Sequence, residues 1–185
     1  MAKTPSSMLA LGTLAPAFNL YDTVTRRYLT LDELKSPIAT VIMFICNHCP
    51  YVIHIRSKLI EIAKKYQQQG IAFIAISSND ADAYPADNPE AMHNEAKKFN
   101  YTFPYLYDET QAIAKAYQAA CTPDFYVFDD NLKCCYRGRF DNATPGNNQP
   151  ITGAELAAAL DALLNQQPIN PEQHPSIGCN IKWKK

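Results

Sequence analysis

Two cysteines three positions apart, Cys46 and Cys49, stand in the stretch Phe44-Ile45-Cys46-Asn47-His48-Cys49-Pro50-Tyr51, and such a pair has two natural chemistries. Two thiols within one turn close a reversible disulfide, or they supply half of a zinc site. Residues 38–45 are almost continuously apolar and β-branched, the pattern of a strand buried on both faces. Beyond the pair, Val52, Ile55, Leu59, Ile62 and Tyr66 recur at spacings of three and four, one face of an amphipathic helix that Gly70 ends. Pro50 falls in the first helical turn, where its missing N–H costs nothing. Both thiols therefore lie at a helix N-terminus, whose positive end favours thiolate. That placement selects dithiol–disulfide chemistry over zinc or mere core filling.

The rest of the chain supplies a frame for this step. Residues 18–22 and 27–31 flank a polar turn as a short hairpin, followed by one helical turn at 31–35. Residues 71–76 are a second core strand, so strand, helix and strand form a right-handed βαβ unit with parallel strands. After a polar loop come a helix opened by Pro89, a short strand at 103–107 and a helix from Thr110 to Tyr117. Residues 125–128 and 132–140 read as an antiparallel hairpin. Thr152 and Glu155 have capping-box spacing before a helix carrying Leu156, Leu160, Leu163 and Leu164 inward. The Pro-rich tail, 166–185, has no periodicity and is expected to wrap the surface. The chain of 185 residues is expected to be one domain.

The formal net charge is −1, which offers no attraction to nucleic acid. No run reaches the length of a membrane span, and no apolar stretch of secretory-signal length stands near residue 1. A cytoplasmic setting is the expectation. Six cysteines there would be reduced, catalytic or metal-binding rather than staples.

The order βαβ, helix, ββα resembles the thioredoxin fold. Phe103-Pro-Tyr-Leu-Tyr-Asp108, Ile113-Ala-Lys-Ala-Tyr117, Phe125-Tyr-Val-Phe-Asp129 and Tyr136-Arg-Gly138 are similar to the second half of an AhpC/TSA or TlpA-type redoxin. The tail Pro175-Ser-Ile-Gly-Cys-Asn-Ile-Lys-Trp183 resembles that of a bacterial thioredoxin-family, peroxiredoxin-like group. The resemblance implies a three-layer α/β/α fold around a mixed sheet, with an N-terminal hairpin, an extra strand and helix, and a C-terminal tail. It implies Cys46 as the exposed nucleophile and Cys49 as the resolving thiol. Thr122-Pro123 matches the cis-proline that lies against the cysteines and presents the preceding residue's backbone to an extended substrate. His48 is placed to tune the pair, since an imidazolium stabilises thiolate. Cys121 and Cys179 are two further possible redox thiols, the first beside the Pro123 loop, the second in a tail able to swing to the site; small-residue packing and incidental placement are their plain alternatives. Cys134 and Cys135 point to opposite faces of a strand and read as packing.

Two parts of the thioredoxin pattern are missing. Thr40 stands where many thioredoxins carry a buried acid, with no carboxylate nearby in sequence, and Ile45 replaces the usual Trp. Three functions follow in order of preference. A thiol–disulfide oxidoreductase would cycle Cys46 and Cys49 on protein or small disulfides, without cofactor, as a monomer or weak homodimer, in redox homeostasis or antioxidant defence. A peroxidase would use Cys49-Pro50 as the peroxidatic step; its arginine is missing before the later strand, leaving Arg137 or Arg139 as spatial substitutes. A metal-binding protein would add His174 or His93 to Cys46 and Cys49.

Overall fold

The computed structural model describes residues 3–185. Its centre is β4 (Thr40–Phe44), buried along its whole length. Val41 and Met43 feed one apolar core, Ile42 and Phe44 the other, which is why the segment is apolar without alternation. Cys49 is the N-cap of α2 (Pro50–Gln67), and the chain returns through Gly70, at φ +87°, into β5 (Ala72–Ser77) parallel to β4. On the other edge of β4 lies antiparallel β8 (Asp124–Phe128), followed by β9 (Cys134–Gly138).

The expected hairpin is β2 (Asn19–Asp22) with β3 (Arg27–Thr30), joined to β5 through β6 (Tyr105–Tyr107). The order β3-β2-β6-β5-β4-β8-β9 makes a mixed seven-stranded sheet. One face is covered by α2, α3 (Pro89–Phe99) and α5 (Ala154–Leu164). The other carries α1 (Leu31–Leu34), α4 (Ala112–Ala116) and the segment holding Leu9 and Phe18. Cys134 is buried in this second core, while Cys135 packs half-buried against the first, as strand alternation requires.

Two expectations are corrected. The capping box forms at Thr30 and Glu33, where Thr30 N donates to Glu33 Oε2 at 2.8 Å and Glu33 N to Thr30 Oγ1 at 3.3 Å. At α5 the N-cap is Gly153 in the left-handed region, with φ +65°. Thr152 N and Gly153 N instead donate to Asp141 Oδ2, both at 2.7 Å, and Glu155 is drawn off into an ion pair with Arg139. The hairpin exit carries Asp141 to this helix start, an arrangement that no local spacing encodes.

The second correction concerns the tail. Residues 177–180 are β10 (Ile177–Asn180), the middle strand of a separate three-stranded sheet between β1 (Lys3–Pro5) and β7 (Cys121–Thr122). Ser176, Cys179 and Ile181 are buried. A four-residue strand is too short to show periodicity, and both of its partners are remote in sequence. Burying Ile181 alone contributes about 2 kcal/mol toward holding the tail down.

A Cβ at Gly153 would overlap Ile62 Cδ1 and Phe140 Cζ, in a backbone region that already disfavours side chains. Gly153→Ala is expected to destabilise the fold by about 2 kcal/mol, read as a lowered urea midpoint with an unchanged slope.

Candidate active site

The loop between β4 and α2 is clamped from beneath. Ile45 N donates to Ile76 O at 3.0 Å, Asn47 N to Asp87 Oδ1 at 2.8 Å and Asn47 Nδ2 to Ala86 O at 2.8 Å. Tyr105 donates its phenol proton to Asn47 Oδ1 at 3.0 Å. Asp87 ends the short 3₁₀ turn Pro85–Asp87 and is fully buried. Its Oδ2 accepts from Asn79 Nδ2 at 2.8 Å and faces His48 Nδ1 at 2.6 Å. His48 stacks on Tyr84 with ring planes 4° apart. The imidazole is thus oriented by an acid that sequence reasoning missed, because Asp87 lies 40 residues downstream of Asn47.

The thiols converge. Cys46, Cys49 and Cys179 are all free and all buried. Cys49 Sγ lies 3.1 Å from Cys179 Sγ and 3.1 Å from the Thr122 carbonyl oxygen. Cys46 Sγ lies 3.6 Å from Thr122 Oγ1. Cys46 is therefore not the exposed thiol that the resemblance implied: it is 2% exposed, enclosed by the Asp87 turn and the Thr122 loop.

Charge is divided unequally within this cluster. Cys49 is pushed down to about 5, first by a hydrogen bond from the Cys46 thiol, then by Thr122, Cys179 and the Val52 N–H of the first turn of α2. Burial works the other way. The Cys46 thiol is held well above its usual range by donating to Cys49, by burial and by the Asp87 charge. Within this coupled pair Cys49 is shifted down and Cys46 up, so a thiolate is favoured at the head of α2.

Thr122-Pro123 is a cis peptide between β7 and β8. Since Thr122 turns its hydroxyl to Cys46, the strand turns Cys121 away; its sulfur lies 3.8 Å from Pro123 O and is pushed up by burial. One residue past the proline, Asp124 is fully buried opposite Phe44 of β4. Its Oδ2 accepts from Ser6 Oγ at 3.0 Å and Tyr126 OH at 2.8 Å, while Oδ1 has no partner. Burial raises this carboxyl to about 7 against those hydrogen bonds.

Other sequence candidates lie elsewhere. Arg137 bonds Leu9 O and Gln173, and Arg139 pairs with Glu155, so neither guanidinium serves the thiols. His174 pairs with Glu155 and His93 Nδ1 contacts Thr23 O. Among the described residues the potential metal-holding group is Cys46, His48 and Asp87, with ligand atoms within 4.8 Å of one another. Asp87 already uses both oxygens within the protein, which fits an orienting carboxylate better than a vacant ligand.

A Cys-x-x-Cys step opening a helix, a cis-proline loop against it and a mixed sheet between helical layers define a thioredoxin-fold redox protein. The AhpC/TSA family model matches residues 11–137, and the chain belongs to that family. An uncharacterized conserved protein from Geobacillus kaustophilus is 53% identical, with 100% of this chain and 97% of that one covered at a TM-score of 0.98. A hypothetical protein from Sinorhizobium meliloti is 47% identical over 98% of each chain, at 0.95. A secreted disulfide oxidoreductase from Mycobacterium tuberculosis shares the fold at 17% identity and a TM-score of 0.61, over 78% of this chain and 95% of that one. No curated protein matches.

Two titrations test this electrostatic arrangement. Thiolate absorbance at 240 nm in the reduced protein is expected to show one thiol titrating near pH 5, lost in Cys49→Ser and moved upward in Cys46→Ser, which removes its chief donor. Asp124 holds its proton in the folded state to about pH 7, whereas an unfolded Asp releases it near pH 4. The native state then binds more protons across that window, so stability falls as pH rises through it. Asp124→Asn is expected to flatten that fall in denaturant midpoints between pH 4 and 7.

Proposed function

We propose that this protein is a thiol–disulfide oxidoreductase in which Cys46 and Cys49 cycle between dithiol and disulfide, working in the cytoplasm on protein or low-molecular-weight disulfides. The observation that carries this reading is the seating of the two thiols at the head of α2 against the cis-proline corner: Cys49 caps the helix with its sulfur 3.1 Å from the Thr122 carbonyl oxygen, and Cys46 Sγ lies 3.6 Å from Thr122 Oγ1. The downward shift of Cys49 in that setting favours the thiolate that such chemistry needs. His48 Nδ1 stands 2.6 Å from Asp87 Oδ2, and the ligand atoms of His48, Asp87 and Cys46 lie within 4.8 Å of one another, so an imidazole borders the pair. The family and the fold neighbours support redox chemistry of this general kind.

A second reading, a thiol peroxidase with Cys49 as the attacking thiolate, is favoured by the same low pKa of Cys49. It is opposed by the engagement of Arg137 and Arg139 elsewhere, which leaves the thiols without the guanidinium that would polarise a peroxide.

The two are separated by assaying reduced wild type, Cys46→Ser and Cys49→Ser against glutathione disulfide and hydrogen peroxide. Loss of disulfide exchange to background in both variants, with slow and stoichiometric peroxide consumption, is the expected result. Rapid catalytic peroxide turnover that survives Cys46→Ser and disappears in Cys49→Ser would replace it with the peroxidase.

A further inference from the structure

The C-terminal strand occupies the edge beside the cis-proline. Cys179 is paired with Thr122 and Asn180 with Cys121, so β10 takes up the backbone of the residue preceding Pro123. By the resemblance, that edge receives an extended substrate. The fit is close: a Cβ at Gly178 would overlap the Thr122 carbonyl, so only glycine lets β10 lie there. Ile181 N continues the seating by donating to Ala120 O at 3.1 Å, and Lys182 N donates to Asn79 Oδ1 at 2.8 Å. This seating fixes Cys179 Sγ at 3.1 Å from Cys49 Sγ, with Cys179 itself 2% exposed. Cys49 thus has two sulfur neighbours, Cys46 on its own loop and Cys179 on the tail.

We propose that Cys179 is a third redox thiol of the site, an intramolecular substrate that takes over Cys49 from the Cys46–Cys49 disulfide. The inference rests on the oxidoreductase reading for the formation of that first disulfide. In the exchange the Cys179 thiolate attacks Cys49 Sγ, the Cys46–Cys49 bond breaks, and Cys46 leaves as the thiolate. One S–S bond is lost and one gained, with no net electron transfer. The proton given up by Cys179 is balanced by the one taken up at Cys46. The product ties β10 covalently across the Thr122 edge and returns Cys46 to the thiol state while the protein stays oxidised by two electrons.

The electrostatics run in the same direction. In the reduced protein Cys179 is pushed up to about 12 by burial and then by the adjoining Cys49, as hydrogen-bond partner and as charge. Forming the Cys46–Cys49 disulfide abolishes the Cys49 anion, so the Cys49 contributions vanish when Cys179 must ionise. Lys182, three residues on, favours the same thiolate.

Disulfide mapping after limited oxidation tests this directly. Trypsin cuts after Lys35 and Arg56, leaving Cys46 and Cys49 on one peptide, and after Arg139 and Lys182, leaving Cys179 as the sole cysteine of another. The full-length reduced protein is treated with one equivalent of diamide, quenched in acid, alkylated with N-ethylmaleimide and digested. The expected result is a crosslinked pair of peptides joined through Cys49 and Cys179, with Cys46 alkylated, appearing after the Cys46–Cys49 loop product. In Cys179→Ser only the loop product should accumulate. In Gly178→Ala, which displaces β10 without touching a thiol, the crosslink should drop at least tenfold relative to the loop product. Wild type that accumulates Cys46–Cys49 with no Cys49–Cys179 crosslink overturns the proposal and leaves the oxidoreductase reading standing. Wild type that forms neither bridge overturns that reading as well. A crosslink seen only when Cys46 is replaced by Ser also overturns it, since the exchange would then not occur from the natural disulfide.

Discussion

The Cys49 sulfur is the point on which the site depends, and what it requires is an anion kept out of water. The Cys49 thiol is drawn down from its ordinary value, which favours the thiolate. A helix N-terminus contributes about 0.3–1 kcal/mol at an exposed position and about 2 at a partly buried one. Donors aimed at the sulfur add to it: the Cys46 thiol, the Thr122 hydroxyl, the Cys179 thiol and Val52 N–H. Each is delivered by a different piece of chain. The loop brings Cys46, the cis-proline corner Thr122, the tail Cys179 and the helix its own first turn. The two sheets exist in register so that these pieces meet.

That requirement explains why so much buried polar structure surrounds the thiols. Asp87 gathers Asn47, His48 and Asn79, and through them pins the loop that carries Cys46. Asp124 gathers Ser6 and Tyr126 beneath the cis-proline corner, tying the N-terminal strand to β8. A half-satisfied buried carboxylate is costly, so Asp124 compromises by holding a proton to about pH 7. The acid expected on the strand at Thr40 is absent there, and acids from other elements surround the loop and the proline corner instead.

Enclosure follows from the same arrangement. With Cys46, Cys49 and Cys179 all buried, the reduced site is closed by β10 and the turn at Pro85–Asp87. A dry cluster strengthens every hydrogen bond to the thiolate, and access to it then depends on displacing one of these two covers. The C-terminal strand is held by short strands on both sides and by a few buried side chains, less than holds β4 or β8.

Much of this was legible in the residues themselves. The apolar run before Cys46, the 3.6-residue pattern after Pro50 and the second run at 71–76 determine the βαβ core, because hydrophobic periodicity is set locally and survives any packing. The cysteine spacing and its position at a helix start were legible for the same reason. Tertiary structure alone decided which groups surround Cys49, since Thr122 and Cys179 lie 73 and 130 positions from it and reach it only through strand pairing. It also decided that the tail is a strand, that Asp87 orients His48, and that Gly153 with Asp141, not Thr152 with Glu155, starts the last helix. In each case the deciding partner is distant in the chain, and a bond between distant residues leaves no periodic trace in either of them.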